Sequence, residues 1–230
     1  MSGLQGGWDF AFAPDAQTIF FTERCRGLSV RSANGSVVRL FGTAGSSLVA
    51  AGGDARIFTY GHRNVQGISF RPGTGQPFAS EHGPNHSDEV TPLVAGGNGG
   101  WDPQNRPGLN CPDNYCGYAG DPTTMPTTDT KRFPNAMRPG WDNDAMSQGT
   151  GPCTFLDGTQ WKAWNGRLAV GIMSARRLLI LQLDASGMAI ATTDASGIPS
   201  DRYRSLVLGP DGNLYALAET AGDIWRLAPG

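Results

Sequence analysis

The chain has 230 residues, 18 Lys and Arg against 20 Asp and Glu, and a formal net charge of −2. That balance, without any basic run, excludes a polyanion-binding face of the kind nucleic acids need. No apolar stretch approaches the roughly 20 residues of a membrane-spanning helix. The 33 glycines and 16 prolines have no collagen-like period. Together with short alternating apolar runs they indicate many turns in an all-β protein.

The segment Phe10 to Glu23, FAFAPDAQTIFFTE, predicts a strand, a Pro-Asp turn and a second strand. Two later segments repeat its plan: Ile68 to Glu81, ISFRPGTGQPFASE, and Leu206 to Glu219, LVLGPDGNLYALAE. In each copy a proline closes one strand and a glutamate closes the next nine positions later: Pro14 and Glu23, Pro72 and Glu81, Pro210 and Glu219. A further short apolar strand follows the glutamate, read as SVVRLF, EVTPLVA and DIWRLAP. A looser copy lies at Cys153 to Asp184, where RLAVGIM and RLLILQL are joined by Ser174, Ala175 and Arg176. Antiparallel units that recur along a chain are the signature of propeller blades, each burying its faces against its neighbours. A β-sandwich is the alternative, favoured less because the internal spacing repeats. The count of about 14 candidate strands gives three to four blades of four strands. Residues 1–230 are read as one domain. Residues 96–151, rich in Gly, Pro, Asn, Asp and Thr, are read as a long inserted loop held by Trp101, Phe133 and Trp141.

The polar residues concentrate between Gly61 and Trp101. This stretch holds all three histidines, His62, His82 and His86, with Arg63, Asn64, Gly83, Pro84, Asp88 and Glu89. Near the C-terminus Arg202 and Arg204 stand two apart, a spacing that puts both on one face of a strand. Surface arginines kept for solubility are the plainer reading of that pair. His82 and His86 are four apart, but the Gly-Pro between them breaks the helix that a transition-metal pair would need. Of the four cysteines, Cys111 and Cys116 bracket the turn-rich loop CPDNYC. That loop suits a disulfide in an oxidising compartment, with reduced thiols as the alternative. The first ten residues have neither the charged nor the apolar region of a leader, so a leader is absent or already removed.

Several motifs together resemble one family. They are TERC followed by RGLSV; GHRNVQG; SEHGPNHSDEV with GGNGGW; and DRYRSLVLGPDGNLYAL running into DIWRL. WKAWNGRLAVGIMSARRLLILQLD adds to the likeness. The chain is similar to the soluble pyrroloquinoline quinone (PQQ) dependent sugar dehydrogenases, the glucose/sorbosone dehydrogenase family. The resemblance implies a six-bladed propeller whose central mouth holds PQQ and calcium. About two blades of that pattern have no counterpart between Ala50 and Arg56. It implies that Arg63, Asn64, Arg202 and Arg204 bind the cofactor, with arginine suited to paired contacts on carboxylates. It places calcium on the backbone carbonyls of Gly83 and Pro84, in keeping with that ion's preference for oxygen. His82 and Asp88 fall at the sugar. The family's histidine base, which precedes GHRN, has no match, and His82 and Asp88 are the remaining candidates for that role. The implied activity is oxidation of an aldose or sugar aldehyde, with electrons passing to an external acceptor, in the periplasm or outside the cell. A propeller that keeps the cofactor or carbohydrate site without turnover is the alternative.

Overall fold

The structure is a computed structural model, which describes residues 7–12, 18–23, 27–39, 58–101 and 126–229. Cys25, Cys111, Cys116, Pro14 and the Ala50–Arg56 junction lie outside them. The first sheet runs β1 (Gly7–Phe12), β2 (Ile19–Glu23), β3 (Gly27–Arg31) and β4 (Val37–Arg39), each strand beside the next. A short strand β5 (Thr59–Tyr60) then leads into β6 (Val65–Phe70), β7 (Pro77–Glu81) and β8 (Glu89–Pro92). Next come β9 (Gly97–Asn98), which pairs in parallel with β5, and β10 (Trp141–Asp142), which adds to β8 as the fourth strand of the second sheet. The third sheet is β11 (Thr150–Phe155), β12 (Leu168–Ile172), β13 (Arg177–Leu183) and β14 (Ala189–Asp194). The last described sheet has three strands, β15 (Tyr203–Leu208), β16 (Leu214–Ala218) and β17 (Asp223–Leu227). Among the described residues no helix is long and apolar enough to cross a membrane.

The three four-stranded sheets and the last, three-stranded one are antiparallel, and their first strands lie side by side in the order β1, β6, β11, β15. Small sheets set radially about their first strands are the blades of a β-propeller. The repeat seen in the sequence is this unit. β6 and β15 each end two residues before the repeat's proline, β2 and β7 end on its glutamate, and β16 ends one residue before it. One assignment needs correcting. The third strand of the first sheet is GLSVR, and SVVRLF supplies the fourth. Gly27 and Ser29 dilute the apolar signal of β3. The Asn34-Gly35 turn behind it closes a tight hairpin, with Ser36 N donating to Asn34 Oδ1 at 2.9 Å.

The third sheet shows why the blades must stack. Along β12 and β13 the side chains alternate between two cores. Leu168, Val170, Ile172, Leu179, Leu181 and Leu183 face the second sheet, where they meet Phe78 and Val90. Ala169, Leu178 and Ile180 face the last sheet, where they meet Tyr203, Leu206, Leu214 and Ala216. Each fully buried Leu, Ile or Val contributes about 1.5–3 kcal/mol, so these two interfaces hold the described blades together. The first strands come very close. A Cβ on Gly67 of β6 would lie 2.5 Å from the Cys153 backbone nitrogen in β11, so only glycine fits there. Phe155 N donates to Ser69 Oγ across the same seam at 3.0 Å. Within 96–151, Trp101 is buried, Trp141 packs on the core between the second and third sheets, and Phe133 is half-buried.

Candidate active site

The site lies where the loops entering the second and last sheets face one another. Its first half is organised by Glu81, the last residue of β7, which is 3% exposed. Its Oε1 accepts from the backbone nitrogens of Arg63 and of Asn64, the latter at 2.8 Å. Its Oε2 pairs with His62 Nδ1 at 3.0 Å. His62 Nε2 meets Thr59 Oγ1 at 3.0 Å. Burial alone would raise the Glu81 pKa. The His62 charge and hydrogen bond, with the two backbone donors, outweigh it and hold the carboxyl below its usual range. Gly99 makes room for this arrangement. A Cβ there would lie 2.6 Å from the Gly61 carbonyl and 2.9 Å from His62 Nδ1. Arg63 donates from Nη1 to the His82 carbonyl at 2.6 Å and lies 5.6 Å from the centre of the Trp101 ring, a cation–π contact. The Asn64 side-chain oxygen accepts from Gln66 Nε2 at 2.7 Å, and its backbone carbonyl accepts from His82 N at 3.1 Å.

Asp88 lies just before β8 and Glu89 begins it, and the two carboxylates bond different partners. Asp88 is fully buried and both of its oxygens are engaged. Oδ1 accepts from Gly83 N at 2.9 Å and from Ser147 Oγ at 2.5 Å. Oδ2 accepts from Gln148 N at 2.9 Å, Thr150 N at 3.0 Å and Thr150 Oγ1 at 3.1 Å. It thereby ties the Gly83-Pro84 loop to the start of β11. Glu89 accepts from Thr128 N at 2.9 Å and Thr128 Oγ1 at 2.6 Å. Burial pushes the Glu89 pKa up from 4.5 to about 8 against the Thr128 hydrogen bonds, and the charges of Glu81 and Asp142 add to it. Glu81 is its direct partner across the β7–β8 ladder.

A carboxyl whose folded pKa lies above its unfolded one stabilises the fold in its protonated form. The contribution is complete below pH 4.5 and is lost as pH rises through about 8. Unfolding free energy should therefore fall across that window. In Glu89→Gln, which keeps an acceptor for Thr128, that part of the slope should flatten. Urea titrations between pH 5 and 9 read both results; an unaltered slope in the variant would assign the pH dependence elsewhere.

The second half comes from the last sheet. Glu219, just beyond β16, accepts from Arg202 Nε at 2.9 Å and lies 3.9 Å from Arg204 Nε. Arg204 Nη1 points to Met173 Sδ at the end of β12, 3.1 Å away. His82 joins the two halves. Burial lowers its pKa, Asp88 pushes it back up, and the charges of Arg63, Arg202 and Arg204 each lower it further. One imidazole thus senses three guanidinium groups carried by two different sheets. His86 faces elsewhere: its Nδ1 meets Ser87 Oγ at 2.8 Å, and its backbone bridges to Met146. Among the described residues no group of three or more His, Cys, Asp or Glu side chains is arranged to hold a metal.

Arg63 thus bonds the His82 carbonyl, while Arg202 and Arg204 share the Glu219 carboxylate. The sequence pattern of the glucose/sorbosone dehydrogenases matches residues 29–226. This chain belongs to the glucose/sorbosone dehydrogenase family. It is 26% identical over 185 residues to the aldose sugar dehydrogenase YliI of Escherichia coli, which covers 78% of this chain and 45% of that protein. It is 27% identical over 218 residues to quinoprotein glucose dehydrogenase B of Acinetobacter calcoaceticus, covering 75% and 44%. The PQQ-bound aldose sugar dehydrogenase of Streptomyces coelicolor superposes with a TM-score of 0.56 at 20% identity, over 96% of this chain and 60% of that one. The chain spans less than half the length of these curated relatives.

The residues singled out in the sequence fall into two groups. Arg63, Arg202, Arg204 and His82 converge, with the Asn64 backbone bonded to His82. Gly83 and Pro84 sit on the same loop, anchored by Asp88. Cys111 and Cys116 lie outside the described residues. Glu81 and Trp101 were legible only as a strand end and as an anchor of the long loop. The recurrent strand-ending glutamate was the signal that pointed to Glu81.

Proposed function

We propose that this member of the glucose/sorbosone dehydrogenase family binds PQQ and calcium and oxidises an aldose or sugar aldehyde of the glucose or sorbosone type. The observation that carries the reading is the placement of Arg63 on the His82 carbonyl, with Arg202 and Arg204 gathered at Glu219 near enough for their charges to act on His82. Guanidinium groups match carboxylates in paired geometry, and PQQ bears three carboxylates. When bound, PQQ supplies an ortho-quinone that accepts a hydride from the sugar. The chain's own residues orient and hold. Arg63, Arg202 and Arg204 take the carboxylates, the Asn64 side chain adds an amide contact, and His82 stands beside the sugar. Calcium fits the Gly83-Pro84 loop, because among the described residues neither carbonyl accepts a hydrogen bond. Two oxygens of that kind would suit a hard cation such as calcium. Asp88, with both oxygens engaged, fixes that loop. An external acceptor would take up the electrons. A periplasmic or secreted setting is part of the same proposal.

A second reading has its own observation. Of the chain's three histidines, His62 is engaged at both ring nitrogens by Glu81 and Thr59, and His86 is held by Ser87. That leaves His82 as the histidine in the site, without the family's separate base. On this reading the chain binds cofactor and sugar without turnover.

The deciding experiment loads the purified protein with PQQ and calcium and follows sugar-dependent reduction of a dye. Reduction with glucose or sorbosone supports the enzyme. Saturable PQQ binding without reduction selects the second reading.

A further inference from the structure

The repeat places a carboxylate at the end of the second strand in each unit, and in the two units whose side chains are described it meets the segment that leads into that unit's first strand. Glu219 bonds Arg202 directly. Glu81 acts differently, on the backbone. The segment Gly61 to Asn64 joins β5 to β6 outside any strand. Its N–H groups, only partly exposed to water, need acceptors that a ladder does not supply. One oxygen of Glu81 accepts from Arg63 N and Asn64 N together, and the other fixes His62, which Thr59 holds from the far side. With the main chain held there, the Arg63 guanidinium extends across the loop to the His82 carbonyl and the Trp101 ring.

We propose that Glu81 is a positioning residue for the cofactor clamp: its buried carboxylate sets the His62-Arg63-Asn64 backbone so that the Arg63 and Asn64 side chains face the site. This inference rests on the cofactor reading above. It is distinct from a general stabilising role. Glu89, buried directly opposite on β8, bonds Thr128 and does not touch residues 62–64. Losing either carboxylate costs the same sheet a buried acceptor, but only Glu81 holds the clamp.

The test compares Glu81→Gln with Glu89→Gln by two readouts: PQQ titration in the presence of calcium, and amide hydrogen exchange at Arg63 and Asn64. Glu81→Gln should weaken PQQ binding roughly tenfold or more, since charge-assisted hydrogen bonds to two N–H groups are lost or weakened. It should also speed exchange at both amides. Glu89→Gln should do neither. Equal loss of affinity in the two variants, or unchanged affinity and exchange in Glu81→Gln, would overturn the proposal. Should Glu81→Gln fail to fold, wild-type exchange decides. Arg63 and Asn64 amides as slow as those of the β6–β7 ladder support the anchor, and fast exchange refutes it. Failure of the wild type to bind PQQ would instead sink the cofactor reading, while the exchange data still judge the anchor.

Discussion

Arg63→Ala and Arg204→Ala are each expected to weaken PQQ binding by one to two orders of magnitude. A hydrogen bond between charged partners is worth about 1.5–3 kcal/mol, and 1.4 kcal/mol is tenfold in affinity. The two variants should differ in their effect on the fold. Arg63 packs against Trp101 and bonds the His82 carbonyl, so its loss should lower stability as well. Arg204 is about a third exposed and touches Met173 and Glu219, so its loss should cost affinity with little change in Tm. The double variant should fall short of the sum, because both groups share one ligand. Arg226→Ala is the control. That residue pairs with Asp211 at 2.8 Å on the exposed part of the last sheet and should leave binding untouched. Isothermal or absorbance titrations read all four. Wild-type affinity in both single variants would remove the proposed clamp.

Asp88→Ala should be the most damaging single change to the fold of the site. It strands five donors, two of them on the Thr150 end of β11 and one on Gly83. Each buried donor left unsatisfied typically costs about 1–3 kcal/mol, so the loss should reach several kcal/mol. That is a large share of the about 5–15 kcal/mol that keeps a domain folded. Asp88→Asn keeps the shape but turns an amide toward donors, so it should recover only part of the loss. Ser147→Ala removes one of the five bonds and should cost about 1 kcal/mol. Urea unfolding gives the three values. A loss below about 1 kcal/mol in Asp88→Ala would mean that the loop is held by other contacts.

These contrasts show what the sequence could convey. The Pro-to-Glu spacing disclosed the blades because turn chemistry and strand length are local properties. It misplaced SVVRLF because β3, with Gly27 and Ser29, carries too weak an apolar pattern to be seen beside its neighbour. The arginines were legible as a group only through the family motifs, since Arg63 and Arg204 come from sheets far apart in the chain. The long stretch 96–151 read as insertion, yet Trp141–Asp142 completes the second sheet and Thr127 and Thr128 bond Ser87 and Glu89. Those partners are about 40 residues away or more, and periodicity does not pair residues so far apart. Likewise Asp88 and Glu89 read as two adjacent negative charges. The donors that await each one are set only by the fold.

The measurement that bears most directly on the cofactor site is an equilibrium titration of the wild-type protein with PQQ, with and without calcium, followed by the quinone absorbance. The expected result is saturable binding of one PQQ per chain, tightened by calcium and weakened in Arg63→Ala. Absence of saturable binding in the presence of calcium would contradict the assignment of Arg63, Arg202 and Arg204 to the cofactor.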